Sequence, residues 1–171
     1  MKRRTLIKSL LALPLGFGVL QPALAAPRPL RVGVDACPHC NMTILDARYA
    51  AQMITSTGKV YAYDDVGCLL DHILGYGGPK ATPKELYVAD FAASERKQAR
   101  FIPVNQAHFL YSERIRTPMG AGLLAFGTAA GLEAYLKERP QHRGEKLRWN
   151  ELLARGRKRA WVPGHGHGHG R

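Results

Sequence analysis

Two stretches of this chain share one pattern, and that pattern limits the fold more than any other feature. They are Tyr63-Asp64-Asp65-Val66-Gly67-Cys68-Leu69-Leu70-Asp71-His72-Ile73 and Phe126-Gly127-Thr128-Ala129-Ala130-Gly131-Leu132-Glu133-Ala134-Tyr135-Leu136. Each is an apolar strand ending in an aromatic residue, then a capping residue, then an amphipathic helix. Ahead of the first copy, Tyr49 to Thr55 and Val60 to Tyr63 flank the turn Ser56-Thr57-Gly58-Lys59, which reads as a hairpin. A Met-bearing loop precedes each copy, with Met42 and Met119. The expectation is an α+β chain: two small hairpin-plus-helix units forming one compact domain.

The remaining elements follow from local chemistry. Leu30 to Val34 alternates and reads as a short strand. A first helix is expected from Val66 to about Leu74, ended by Gly75, Gly77, Gly78 and Pro79. Leu86 to Phe91, Ala99 to Val104, His108 to Tyr111 and Leu123 to Phe126 are strand candidates. Thr128 should cap a helix from Ala129 to about Lys137, and Trp149 to Arg155 should form one more. Asp64 and Asp65 sit where a helix cap and a first-turn acid belong.

The termini are of another kind. Residues 1–25 read as an export signal: Lys2, Arg3, Arg4 and Lys8, an apolar run from Leu10 to Leu20, and Ala23-Leu24-Ala25 at a cleavage position. The run is too short to span a membrane, which takes ~20 apolar residues. Arg3-Arg4-Thr5-Leu6-Ile7-Lys8 resembles a twin-arginine motif, and Sec export is the other route. No cysteine closely follows the run, so a soluble exported body beginning near Ala26 is expected, not a lipoprotein.

The formal net charge of +12 invites a nucleic-acid reading, which its distribution opposes. The leader's four basic residues leave +8. From Arg139 onward nine basic residues face Glu145 and Glu151, so that segment holds +7 of it. A near-neutral body over 26–138 with a flexible basic, His-rich tail over 139–171 suggests an acidic partner or a membrane surface, and no nucleic acid.

Sulfur carries the sharpest chemical signal. Cys37-Pro38-His39-Cys40-Asn41-Met42 places two thiols and a thioether within six residues. Cys-x-x-Cys can bind a metal, cycle as a redox pair, or form a structural disulfide. A zinc ribbon needs a second pair, which Cys68 alone does not supply. The residues after Cys40 make a weak helix start, against a thioredoxin-like site. Met42 tips the balance, because thioethers suit soft Cu(I) and serve zinc poorly. Met119, in the Pro/Gly loop Thr117-Pro118-Met119-Gly120-Ala121-Gly122, is a ligand or a loop anchor with equal standing. Met53 reads as core, Cys68 as a small buried residue with a secondary claim to the site, and His72 and His108 as satisfied lone histidines. The terminal Gly164-His165-Gly166-His167-Gly168-His169-Gly170 reads as a flexible tail able to hold Cu(II) or Zn(II).

Cys37-Pro38-His39-Cys40-Asn41-Met42, Ala51-Gln52, Tyr63-Asp64-Asp65-Val66-Gly67-Cys68, Pro118-Met119-Gly120 and Leu124-Ala125-Phe126-Gly127 together resemble the NosL family, over most of 34–136. That resemblance implies ββαβ-type units and a periplasmic Cu(I) carrier, not an enzyme. It implies a copper-enzyme client, nitrous oxide reductase, and a membrane ABC-type complex that docks the carrier. Its copper site carries over to Cys40, Met42 and Met119, with Cys37 as a further candidate. The family's usual glycine between Cys and Met is Asn41 here, and the His-rich tail lies outside the family pattern. The reading from another class is a thiol-disulfide oxidoreductase acting through Cys37 and Cys40 on a copper protein's cysteines. A plain structural domain with a Cys37–Cys40 disulfide is the third.

Overall fold

The computed structural model describes residues 26–164; the leader over 1–25 and His165, His167 and His169 lie outside them. The described chain runs β1 (Ala51–Thr55), β2 (Val60–Tyr63), α1 (Val66–Ile73), β3 (Pro83–Ala89), β4 (Phe101–Pro103), β5 (His108–Tyr111), β6 (Leu123–Phe126), α2 (Ala129–Glu138), β7 (Glu145–Leu147) and α3 (Trp149–Gly156). No helix among these residues is long and apolar enough to cross a membrane.

The duplication expected from the sequence is present as topology. The first sheet has the order β2-β1-β3-β4 and the second β6-β5-β7. In each, an antiparallel hairpin is followed by a helix, and the next strand returns antiparallel beside the first. Both units are thus ββαβ with one strand order. Tyr63 and Phe126 end equivalent strands, and Asp65 and Thr128 cap equivalent helices. The caps work as the residue types dictate, since an oxygen at this position satisfies an N–H that has no helical partner. Asp65 accepts the N–H of Gly67 at 2.8 Å, and Thr128 Oγ1 that of Gly131 at 3.0 Å.

One core joins the units. Met53, Tyr63, Val66 and Leu69 of the first pack with Phe109, Leu123 and Ala125 of the second. A smaller cluster around Leu110, Phe126 and Tyr135 lies in the second unit.

Three expectations need correction. Leu30 to Val34 is a turn, not a strand. Asp35 gathers the chain there: its carboxylate accepts the Arg31 N–H at 2.9 Å and pairs with Arg28 and Arg31 at 2.7 and 2.8 Å. The lead is fastened instead by buried Gln52, whose side chain both accepts from the Arg28 N–H and donates to its C=O, at 3.1 and 2.8 Å. Second, the segment from Arg139, expected as a tail, is built into the fold as far as it is described. It supplies β7, which pairs with β5, then α3, then buried Trp161 and Val162. Glu-Lys-Leu has no strand signature, so tertiary pairing decided β7. Arg155 pairs with Glu145 and lies over the rings of Tyr111 and Trp161, so part of the basic charge serves internal packing. Third, the two methionine loops are not equivalent: Met42 precedes β1, whereas Met119 lies in the β5–β6 connection.

Candidate metal site

The Cys-x-x-Cys-x-Met segment is the tip of a short irregular hairpin ahead of β1. Ala36 and Thr43 form an antiparallel bridge, and the Ile44 N–H donates to Asp35 C=O at 2.9 Å. The tip is closed by the Cys37 N–H to Met42 C=O at 2.9 Å and the Asn41 N–H to Cys37 C=O at 2.8 Å. Asn41 has φ +62°, the left-handed region that glycine and asparagine enter most readily. Asparagine therefore suits the backbone that this turn requires. The turn leaves Cys37 buried, Cys40 partly exposed and Met42 56 % exposed.

The first unit's helix start completes the arrangement. Asp64 stands just before the capping Asp65, and Cys68 lies in the first turn of α1. The Sγ atoms of Cys37, Cys40 and Cys68 and a carboxylate oxygen of Asp64 all lie within 4.8 Å of one another. Cys40 Sγ donates to Asp64 Oδ1 at 3.3 Å. All three thiols are free.

The thiols are electrostatically unlike. The Cys68 S–H donates to Cys37 and so favours the Cys37 thiolate; backbone N–H groups of the tight turn add to this, against the opposing effect of burial. The same hydrogen bond, together with burial, pushes Cys68 up. Burial, with Cys37 and Asp64 nearby, pushes Cys40 up to about 12. Cys37, at the buried end of the cluster, is thus the one thiol of the three that its surroundings push down. Three sulfurs and one carboxylate suit a soft ion able to displace thiol protons.

Met119 reaches this neighbourhood from the second unit. Asp65 Oδ2 accepts the Met119 N–H at 2.9 Å and the Thr117 hydroxyl at 2.6 Å, while Oδ1 caps α1. The residue beside Asp64 therefore pins the Met119 loop, and the Met119 side chain packs on the main core. Burial pushes the Asp65 carboxyl up, against these three hydrogen bonds.

The structure thus brings together Cys37, Cys40 and Cys68, leaves Met42 on the open rim, and seats Met119 partly buried on the core. Asp64 is the residue the sequence reading left at a helix cap; Asp65 is the cap. No local signal marks Asp64, because Cys40 reaches it from 24 residues earlier in the chain. His72 is satisfied as expected, between the Tyr63 hydroxyl and Pro79 C=O at 2.7 Å each. Among the described residues, the large apolar side chains left well exposed are Val34, Met42 and Leu45, all on the cysteine hairpin.

An α+β domain of two like ββαβ units, one of which carries a thiol cluster, is the class these features define. The family model NosL matches residues 32–155, and the chain belongs to the NosL family. Among solved structures it is similar to the copper chaperone NosL from Shewanella denitrificans, at 23 % identity and a TM-score of 0.60. That match covers 73 % of this chain and 94 % of the other, and it agrees with the fold described above. No curated protein matches the sequence.

Proposed function

We propose that this chain is a Cu(I) carrier outside the cytoplasm that hands copper to an enzyme under assembly, with nitrous oxide reductase as the client and a membrane ABC-type complex as the docking partner. The observation that carries the reading is the convergence of Cys37, Cys40, Cys68 and Asp64 within 4.8 Å at the tip of a hairpin that exposes Met42. Soft thiolate and thioether donors select Cu(I) over the harder divalent ions. Cys37, Cys40 and Met42 are the ligands proposed on the hairpin, Met119 the one offered by the second unit, and Cys68 the one beneath.

The same geometry suits release. Cys37 and Cys68 hold the ion from the buried side, while Cys40 and Met42 face outward. A client's ligands can then replace Met42 and Cys40 before the buried sulfurs let go. Val34 and Leu45 give the rim an apolar surface for docking. His165, His167 and His169 are proposed to hold Cu(II) or Zn(II), since borderline ions prefer imidazole. The leader-like 1–25 supports export, and the client follows from the family resemblance.

The oxidoreductase alternative fits the thiols less well. An attacking thiol must be accessible and have a low pKa. Here the accessible thiol, Cys40, is pushed up to about 12, and the one favoured as thiolate, Cys37, is buried. Titration of the reduced protein with Cu(I) against a competing chelator tests the proposal. One tight site per chain is expected. Absence of tight binding, combined with a readily cycled Cys37–Cys40 dithiol, would establish the alternative.

A further inference from the structure

The basic charge from Arg139 onward is unevenly neutralised. Lys146 pairs with Glu133, Arg139 with Glu138 and Arg155 with Glu145, while Glu151 accepts the Arg148 N–H at the start of α3. Arg157, Lys158 and Arg159 follow α3 directly and are all exposed. No ion pair among the described residues involves them.

Three like charges in a row repel one another, so the turn that carries them must be held by its surroundings. Before them, the Arg157 N–H donates to Leu153 C=O and the Lys158 N–H to Arg155 C=O, at 3.0 Å each. The Tyr76 hydroxyl donates to Gly156 C=O at 2.8 Å, and a Cβ at Gly156 would stand 2.4 Å from Leu74 Cδ1 at the end of α1. After them, Asp71 of α1 accepts the N–H groups of Trp161 and Val162, at 2.7 and 2.9 Å, and both of those residues are buried. The cations thus stand on a turn fixed at both ends. Beside them is a hollow of about 250 Å³ whose lining includes Arg155, Arg159, Tyr111, Glu113, Gly120 and Trp161. Arg155 is engaged by Glu145 and by the two rings, which leaves Arg159 to meet an entering anion.

Acidic protein segments and anionic lipids share the chemistry that such a surface recognises, and the structure favours the protein. Attachment to lipid by charge uses about four to eight Lys or Arg, or apolar side chains that enter the bilayer. Three cations stand together here, and the large apolar side chains left exposed among the described residues, Val34, Met42 and Leu45, all lie on the cysteine hairpin. A hollow beside the cations admits a carboxylate side chain, which a guanidinium can hold through two hydrogen bonds.

We propose that Arg157, Lys158 and Arg159, with the adjoining hollow, form a docking surface for an acidic segment of a partner protein. That the partner takes part in copper transfer rests on the carrier reading above. The fold supports the link: Asp71, which fixes the docking turn, stands 3.9 Å from His39 Nε2 at the tip of the cysteine hairpin, and the same helix carries Cys68. Docking of this kind speeds encounter and weakens as salt screens it.

The test uses the full-length chain and a fluorescein-labelled peptide of alternating Glu and Ser, read by fluorescence anisotropy at low salt. The variant Arg157→Gln, Lys158→Gln, Arg159→Gln should bind the peptide about tenfold more weakly than the parent and keep the parent's melting temperature. Replacing three exposed lysines elsewhere, Lys84→Gln, Lys97→Gln and Lys137→Gln, removes the same charge and should change the Kd by less than about twofold. Glu113→Gln removes a carboxylate from the hollow and should tighten binding by about twofold. Equal losses in the two triple variants overturn the proposal, because net charge alone would then explain the binding. Binding to phosphatidylcholine–phosphatidylglycerol vesicles that the first variant abolishes, with peptide binding unchanged, overturns it in favour of a lipid surface. Titration of the same samples with Cu(I) against a chelator should find the parent and the first variant equal. Failure of both to bind Cu(I) removes the carrier reading and leaves the docking surface standing.

Discussion

The two ββαβ units share a strand order and a helix cap, yet only the first carries the thiol chemistry. The difference falls at equivalent positions. Where the first unit has Asp64 and Cys68, the second has Gly127 and Gly131. A Cβ at Gly127 would meet Asp90 Oδ2 at 2.5 Å, and one at Gly131 would crowd the capping Thr128 hydroxyl at 3.2 Å. At the second unit's helix start Gly127 lies tight against Asp90, while Thr128, Ala129 and Ala130 are exposed and nothing like the cysteine hairpin covers them among the described residues. The first leaves room there for the cysteine hairpin. The frame thus gives two equivalent helix starts, and the approach of the hairpin decides which becomes a site.

That contrast predicts where damage falls. Cys40→Ser should have the largest effect: a hydroxyl is a hard, weak donor, and Cu(I) affinity should drop by about a thousandfold, roughly 4 kcal/mol. Chelator competition reads it. Gly131→Cys places a thiol at the equivalent position of the second unit and should add no second Cu(I) equivalent, because no hairpin faces it. A second tight equivalent would mean that the helix start alone makes the site.

The caps should separate next. Thr128→Ala loses one N-cap hydrogen bond and should cost about 1 kcal/mol. Asp65→Ala loses the cap and the bonds to Met119 and Thr117 in a buried setting, and should cost about 3 kcal/mol. Denaturant unfolding of the apo protein compares them. Equal costs would show that Asp65 caps its helix without tying the units together.

The next effect is a pH dependence confined to the first unit's lead. Burial alone would raise the Asp35 pKa, but hydrogen bonds from Arg28 and Arg31 more than reverse this and hold it at about 2, below its ordinary 3.8. A depressed folded pKa gives stability that is present above pH 3.8 and fades as the pH falls toward 2. The shift corresponds to about 1–2 kcal/mol after allowing for the exposed Arg31 side chain. Unfolding free energies at pH 6 and pH 2.5 should differ less in Asp35→Asn than in the parent by that amount.

How much of this could be read from the sequence depends on the range of the forces involved. The equivalent strand ends, caps and helices at 63–73 and 126–136 were legible, because capping and amphipathic periodicity are local. β7 was not, since Glu145-Lys146-Leu147 owes its strand to β5. Leu30 to Val34 misled because alternation says nothing of the Asp35 carboxylate that bends it. Cys37, Cys40 and Met42 announced themselves by spacing and softness. Asp64 did not, because its role depends on the approach of a hairpin more than twenty residues earlier in the chain.

A change at Met42 divides the hairpin's chemistry from its fold. Its side chain is 56 % exposed, and its backbone carbonyl, not its sulfur, closes the turn on Cys37. Met42→Leu conserves volume and leaves that carbonyl in place, so the apo melting temperature should not move. The thioether is lost, however, and an outer ligand contributes less than a thiolate. Cu(I) affinity should fall by about tenfold, near 1.4 kcal/mol. Release to a competing chelator should quicken in proportion, because the buried thiols would then hold the ion without their outer partner. Unchanged affinity and release would make Met42 part of the apolar docking rim with Val34 and Leu45, and would leave the outer coordination to Cys40 and Met119.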